Sequence, residues 1–451
     1  MRPATRLLAA LASTALSLPA QAAGPDRFFE GSGGEPSLRT EAEVPQPGAS
    51  RTLERRFWVE LPASSRDARS AIAGAGVSIE EVSGDSVAGV ADRGALDRLE
   101  RLGVVPLRRD PLDGPGAKGF PPADAAFHDY DEVRAALAAV AGSFPEAASV
   151  FSIGSTVQQR DILAIRFNTT AKGEQPSDKP GVVFLGTHHA REHLSTEVPL
   201  RLARWLADNR SKPEIGRLLA SRDVYFVPLV NPDGAEYDHA DCRPTDAPAS
   251  RGCGYKWQRK NMRANGDGSL GVDLNRNYGF HWGEGGASDR PDSDTYRGPA
   301  PFSEPESRAV KRFVEGRPNL KVLLSFHTFS ELILYPWGHT YDPIGDEKAL
   351  AAYKSMASRM AEMTGYKPEQ SSDLYIASGD TTDWAWGERG IFSFTFELTP
   401  KSMWSGGGFY PGPGVIEPTL ERNIGPMVYL LDLANDPYRA AGSGTGRGGS
   451  K

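Results

Sequence analysis

VVFLGTHHAREHLSTEVPLRLARWLADN, residues 182–209, is the stretch on which the fold turns. An apolar run of strand length, VVFLGTH, enters a polar cluster, and a helical pattern, STEVPLRLARWLADN, follows from Ser195. A strand apolar on both faces that leads into a helix is the unit of a buried, mainly parallel sheet. Neighbouring segments repeat the texture: DEVRAALAAVAGSF reads helical, while ILAIRF, DVYFVPLV, NLKVLLSFH and FSFTFEL read as apolar strands. Residues 120–437 are therefore expected to form an α/β domain whose mixed, mainly parallel sheet is flanked by helices. The Gly-rich end, 438–451, has little to bury and is expected to be disordered.

Upstream the pattern changes. In residues 55–110, RRFWVEL reads as a strand, SSRDARSAIAGAG as a helix, VSIEEV and SVAGVA as strands joined through Ser83-Gly84-Asp85, ALDRLERLG as a helix and VVPLRR as a strand. That order predicts a small ferredoxin-like α+β domain, the split βαβ arrangement. Residues 111–119 sit within DPLDGPGAKGFPP, dense in Gly and Pro around Lys118, and read as an exposed linker that a protease could cut.

Farther upstream, residues 23–54 are Gly-, Pro- and Ser-rich and read as linker. Arg2 and Arg6 precede LLAALASTALSLPA, which ends in Ala20-Gln21-Ala22, so residues 1–22 read as a secretory signal peptide and the protein as exported. Export makes a disulfide the expected state of Cys242 and Cys253, 11 positions apart in a loop-like stretch. Over the whole chain of 451 residues, 39% are hydrophobic and 24% charged, an ordinary globular composition. The net charge of −7 argues against a nucleic-acid partner, and no apolar stretch beyond the N-terminus invites stable membrane association.

Three of the eight histidines cluster in GTHHAREH. Taken as HxxE, His189 and Glu192 could bind one zinc with a third ligand from elsewhere. Taken as HxxEH inside a helix, His189 and His193 would be the ligands and Glu192 the base, as in inverted zincins. The strand running straight into the motif favours the first reading. A third ligand is sought at a strand end, where His327 stands in LLSFHTFS. Glu397 interrupts the apolar run FSFTFEL, a semi-apolar setting that would raise its pKa and suit a general base. YKWQRKNMR, with Arg259, and GVDLNRNYG, with Asp273, Asn275 and Arg276, offer guanidinium groups to an anionic substrate.

In order, HHARE, WQRKN, DLNRN, SFHTFS, DLYIASGDTTDW and FTFEL resemble the motifs of the zinc carboxypeptidases of the pancreatic A/B type, over about residues 120 to 435. The texture is most similar to secreted bacterial members such as carboxypeptidase T. The upstream domain resembles that family's inhibitory propeptide, so the resemblance implies a zymogen that awaits an activating protease. It implies zinc held by His189, Glu192 and His327, with Glu397 as the base and Arg259 as the group that stabilises the oxyanion. Asn275, Arg276 and Tyr375 would hold the terminal carboxylate of a peptide or protein, Arg191 would line the cleft, and Asp273 would orient His189.

For the pocket, the family carries an apolar residue or Asp at the position of Thr382, and Asp380 matches the acidic residue of carboxypeptidase T, so mixed apolar and basic specificity is expected. One departure is Phe329, where many members have Tyr. The resemblance implies a monomer; whether calcium joins zinc in the loops is not legible in the sequence. The rival functions are a metallo-amidase acting on cell-wall peptides and a non-catalytic peptide-binding homologue.

Overall fold

The computed structural model describes residues 56–112, 120–239 and 255–445. The signal peptide, the 23–54 linker, Lys118 and the Cys242–Cys253 pair lie outside them.

The upstream module runs β1 (Phe57–Pro62), α1 (Arg66–Gly74), β2 (Ser78–Ser83), β3 (Ser86–Ala91), α2 (Arg93–Arg101) and β4 (Arg108–Pro111). Its antiparallel sheet has the order β2-β3-β1-β4. Ser65 and Asp92 start the two helices by accepting the amides of Ala68 and Ala95, and Ile72 and Leu99 bury against Val59 and Leu61. The last strand begins at Arg108 rather than at Val104, where the sequence placed it. The Val104 amide is spent on the Leu99 carbonyl, closing α2, and Val105 and Leu107 are left 72% and 63% exposed.

The main module continues with α3 (Tyr130–Ser143), β5 (Ala148–Ser155), β6 (Asp161–Phe167), β7 (Gly181–Gly186), α4 (Leu194–Asp208), α5 (Pro213–Ser221), β8 (Asp223–Val227) and α6 (Pro232–His239). After the gap come α7 (Pro305–Glu315), β9 (Leu320–Thr328), β10 (Leu332–Tyr335), α8 (Glu347–Thr364), β11 (Lys367–Gln370), α9 (Thr381–Gly387), β12 (Phe392–Leu398), α10 (Met403–Gly406) and α11 (Ile416–Leu433). The sheet order is β11-β10-β12-β9-β7-β8-β6-β5, with parallel pairing from β12 through β9 and β7 to β8 and again between β10 and β11.

Both faces of this sheet are covered, which is why its central strands are almost wholly buried and mostly apolar. β7 sends Val182 and Phe184 into one core and Val183 and Leu185 into the other. Because β7, β9 and β12 are parallel, their C-terminal ends open on one edge, where ligands of such sheets bind. The pairing register sets His327 beside Glu397, one residue beyond the Gly186–Phe326 pair.

The expected disorder from 438 onward does not hold as far as Thr445. Residues Pro437–Thr445 form 3-10 turns, Ala440 is buried, and the Tyr438 ring meets Phe392 at 5.1 Å with the Lys348 ammonium 5.0 Å above it. Arg439 also donates to Asp432 Oδ2 at 2.6 Å, so the turn is held by ring, apolar and charged contacts together. Among the described residues no helix is long and apolar enough to cross a membrane.

Candidate metal centre and cleft

β7 ends at Gly186, where only a residue without a side chain fits: a Cβ would collide with the carbonyl oxygens of Ser195 and Pro228. Thr187 then takes a positive φ of 53°, its hydroxyl held by Ser195 and Thr196, and the chain turns sharply. α4 does not begin until Leu194, so the histidine motif lies in the turn ahead of the helix rather than within it. This separates the two readings of HxxEH. His193 faces away and bonds Asp238 at 2.9 Å, whereas His189, Glu192 and His327 point at one another.

Those three residues are buried, and one ligand atom from each lies within 4.8 Å of the others. His189 Nδ1 is 2.7 Å from Glu192 Oε1; His327 Nδ1 is 3.0 Å from Glu192 Oε2 and 3.1 Å from His189 Nδ1. The outward nitrogens have their own partners: His189 Nε2 meets Asp273 Oδ1 at 3.1 Å and His327 Nε2 meets Ser325 Oγ at 3.1 Å. With each outward nitrogen protonated, three electron-pair donors face a common point. A single proton can bridge two of them, whereas a divalent cation serves all three, so the donor set fits zinc. Burial pushes the Glu192 carboxyl up, but the His189 and His327 imidazoles outweigh it and hold the group below the usual range.

Asp273 orients two groups at once, accepting from His189 Nε2 and, at 2.9 Å, from Arg259 Nε. Burial would raise it, yet Arg259 and then His189 keep its carboxyl well below the ordinary value. Glu397, half-buried beside His327, is pushed well above the ordinary value by burial and then by the negative charges of Glu192 and Glu80.

His189, Glu192, Arg259 and Glu397 line a cleft of about 520 Å³ together with Asn275, Arg276, Tyr375, Asp380 and Thr382. Asn275 Oδ1 accepts from the Thr381 amide at 3.0 Å and hydroxyl at 2.8 Å, and Arg276 Nη1 donates to the Asn275 carbonyl at 2.8 Å. Asp380 caps α9, its Oδ1 accepting from Thr382 N at 2.8 Å, Thr382 Oγ1 at 2.6 Å and Asp383 N at 2.9 Å. Phe329 is buried and stacks on Trp58 of β1, with ring centroids 6.0 Å apart.

The upstream module enters the same cleft. Glu80 of β2 accepts from Arg191 Nη2 at 2.7 Å and from Arg259 Nη1 at 3.3 Å, and the Tyr375 hydroxyl donates to the Ile79 carbonyl at 3.3 Å. Arg191, fully buried, also donates to Asp294 at 2.9 Å. The sequence reading passed over Glu80, although paired carboxylates in a short strand were a signal. It also passed over Asp294, which no local pattern marks, and gave no role to His188, Ser325 and Thr381, although they lie within HHARE, SFHTFS and DLYIASGDTTDW.

A sequence profile described as zinc carboxypeptidase matches residues 133–425. A zinc carboxypeptidase of Saccharothrix mutabilis subsp. capreolus is 34% identical over 428 residues, 90% of this chain and 95% of that protein. Carboxypeptidase B of Astacus astacus is 34% identical over 321 residues, 69% of this chain and 98% of that protein. The crystal structure of carboxypeptidase A from Helicoverpa armigera matches with a TM-score of 0.68 over 88% of this chain and 100% of that one, at 23% identity, a likeness of fold. That share exceeds what the residues after 119 could supply alone, so the upstream module is part of the likeness.

Proposed function

This chain belongs to the zinc carboxypeptidase family, and we propose that it is a secreted enzyme, made as a zymogen, that removes apolar and basic residues from the C-termini of peptides and proteins. The observation that carries the reading is the meeting of the His189–Glu192–His327 triad with Glu397 and Arg259 at the mouth of a cleft lined by Asn275, Arg276 and Tyr375.

Zinc held by the triad would act as a Lewis acid toward water and the scissile carbonyl. Glu397, set beside His327 by the pairing register, takes the proton of the attacking water and passes it to the leaving amine. Arg259, fixed through Nε by Asp273, directs its terminal nitrogens at the oxygen on which negative charge develops. Asn275, Arg276 and Tyr375 bind the free carboxylate that distinguishes a chain end from an internal bond, and Arg191 borders the upstream part of the substrate. Asp380 and Thr382, both in the lining of the cleft, form the pocket for the departing residue, the carboxylate serving basic side chains.

The zymogen reading is supported by Glu80, whose carboxylate occupies Arg191 and Arg259, and by Ile79, whose carbonyl occupies Tyr375. Cleavage near Lys118 by an activating protease would release these groups. The test compares the full-length chain before and after limited trypsin treatment on blocked peptides ending in Leu or Arg. Activity that appears only after cleavage supports the reading, and equal activity before and after defeats the zymogen.

A further inference from the structure

We propose that Ser325, His188 and Thr381 form a one-way hydrogen-bond relay from the metal ligand His327 to Asn275, which fixes the Asn275 amide with its NH2 toward the cleft. The inference rests on the reading that Asn275 holds a substrate carboxylate.

The direction follows from proton counting. His327 turns Nδ1 toward Glu192 and His189, so as a ligand it carries its proton on Nε2, 3.1 Å from Ser325 Oγ. Ser325 Oγ accepts that proton's bond and has one hydroxyl hydrogen to give, which His188 Nδ1 at 3.2 Å can take. His188 is thereby the Nε2–H tautomer, 3.2 Å from Thr381 Oγ1 and 2.9 Å from the Tyr278 hydroxyl. Thr381 Oγ1 gives its own hydrogen to Asn275 Oδ1 at 2.8 Å, where the Thr381 amide also donates at 3.0 Å.

Two donors on one atom identify it as the amide oxygen, leaving the NH2 to meet an anion. Reversing the chain would put the His327 proton on Nδ1, which a ligand cannot carry. His188, Ser325, Tyr278 and Thr381 are all buried, so an unmade bond in the relay would go uncompensated. The three relay residues are positioning residues, acting through His327 and Asn275.

The test uses the full-length chain loaded with zinc. Chelator competition reads zinc retention, and limited trypsin treatment followed by assay of a peptide ending in Leu, as free acid and as amide, reads KM and kcat. Ser325→Ala is expected to weaken zinc retention about ten- to a hundredfold. Thr381→Val should leave zinc retention unchanged and raise KM for the free acid roughly five- to tenfold at nearly constant kcat, with Thr381→Ser restoring it. Ser325→Ala should raise that KM too, and the double variant no further than either single one. Wild-type zinc retention in Ser325→Ala, or an unchanged KM in Thr381→Val, overturns the relay. Should the cleaved wild type not favour the free acid over the amide, the proposed function fails instead, and the zinc measurement still judges the relay.

Discussion

At the start of α9, burial and then the neighbouring Asp383 push the Asp380 carboxyl up to about 7. A group raised to that value is neutral below it and charged above it, so the pocket gains its negative charge as pH rises through neutrality. The ratio of C-terminal Arg to C-terminal Leu release should therefore climb severalfold between about pH 6 and about pH 8. Asp380→Asn, which can still cap the helix, should flatten that climb; a ratio that follows the same curve in the variant would remove Asp380 from the pocket's selectivity. Arg259 poses a different demand. Loss of an oxyanion donor costs about 3 to 4 kcal/mol, so Arg259→Ala should lower kcat by hundreds of times while KM moves little. A variant that loses affinity and keeps turnover would place Arg259 in ground-state binding.

Elements position these residues through their ends. β7, β9 and β12 terminate together, and the close approach at Gly186 lets the turn at Thr187 carry His189 and Glu192 over the end of β9. Gly186→Ala forces a methyl against two backbone oxygens and should destabilise the protein by about 3 kcal/mol while weakening zinc binding, measured by denaturant unfolding and chelator competition. Full stability in that variant would mean that the turn can relax.

The strands that carry the site were legible because both faces are buried, so β7, β9 and β12 read as largely apolar runs that contain or lead into the site's His or Glu. β11, KPEQ, had no such signal, since it is a short edge strand without an apolar run. VVPLRR misled for the opposite reason: Val105 and Leu107 stay exposed, and pairing with β1 begins only where the arginines start. The ligand triad rests on local motifs, whereas Glu80 and the links of the relay from Ser325 through His188 and Thr381 to Asn275 join residues more than a hundred positions apart, which a single sequence does not display.

For the whole molecule, the upstream module is held to the main one by contacts on several sides of the cleft. Trp58 stacks on Phe329, Arg69 donates to the carbonyls of Leu374 at 2.6 Å and Asp373 at 3.0 Å, and Ser70 meets Tyr341 at 2.9 Å. Glu80 is the carboxylate that the upstream module brings to Arg191 and Arg259. Glu80→Gln should leave the uncut chain folded but raise its residual activity about tenfold, the effect of losing one charge-assisted bond pair. Residual activity no different from that of the unsubstituted chain would assign the block to the surrounding contacts instead.

The most direct measurement of the central claim takes the trypsin-cleaved chain and blocked dipeptides ending in Leu or Arg, each as free acid and as amide, with and without a zinc chelator. Release of both residues from the free acids alone, abolished by the chelator and restored by added zinc, is the predicted result. Cleavage of the amides at a similar rate, or release that survives the chelator, would contradict it.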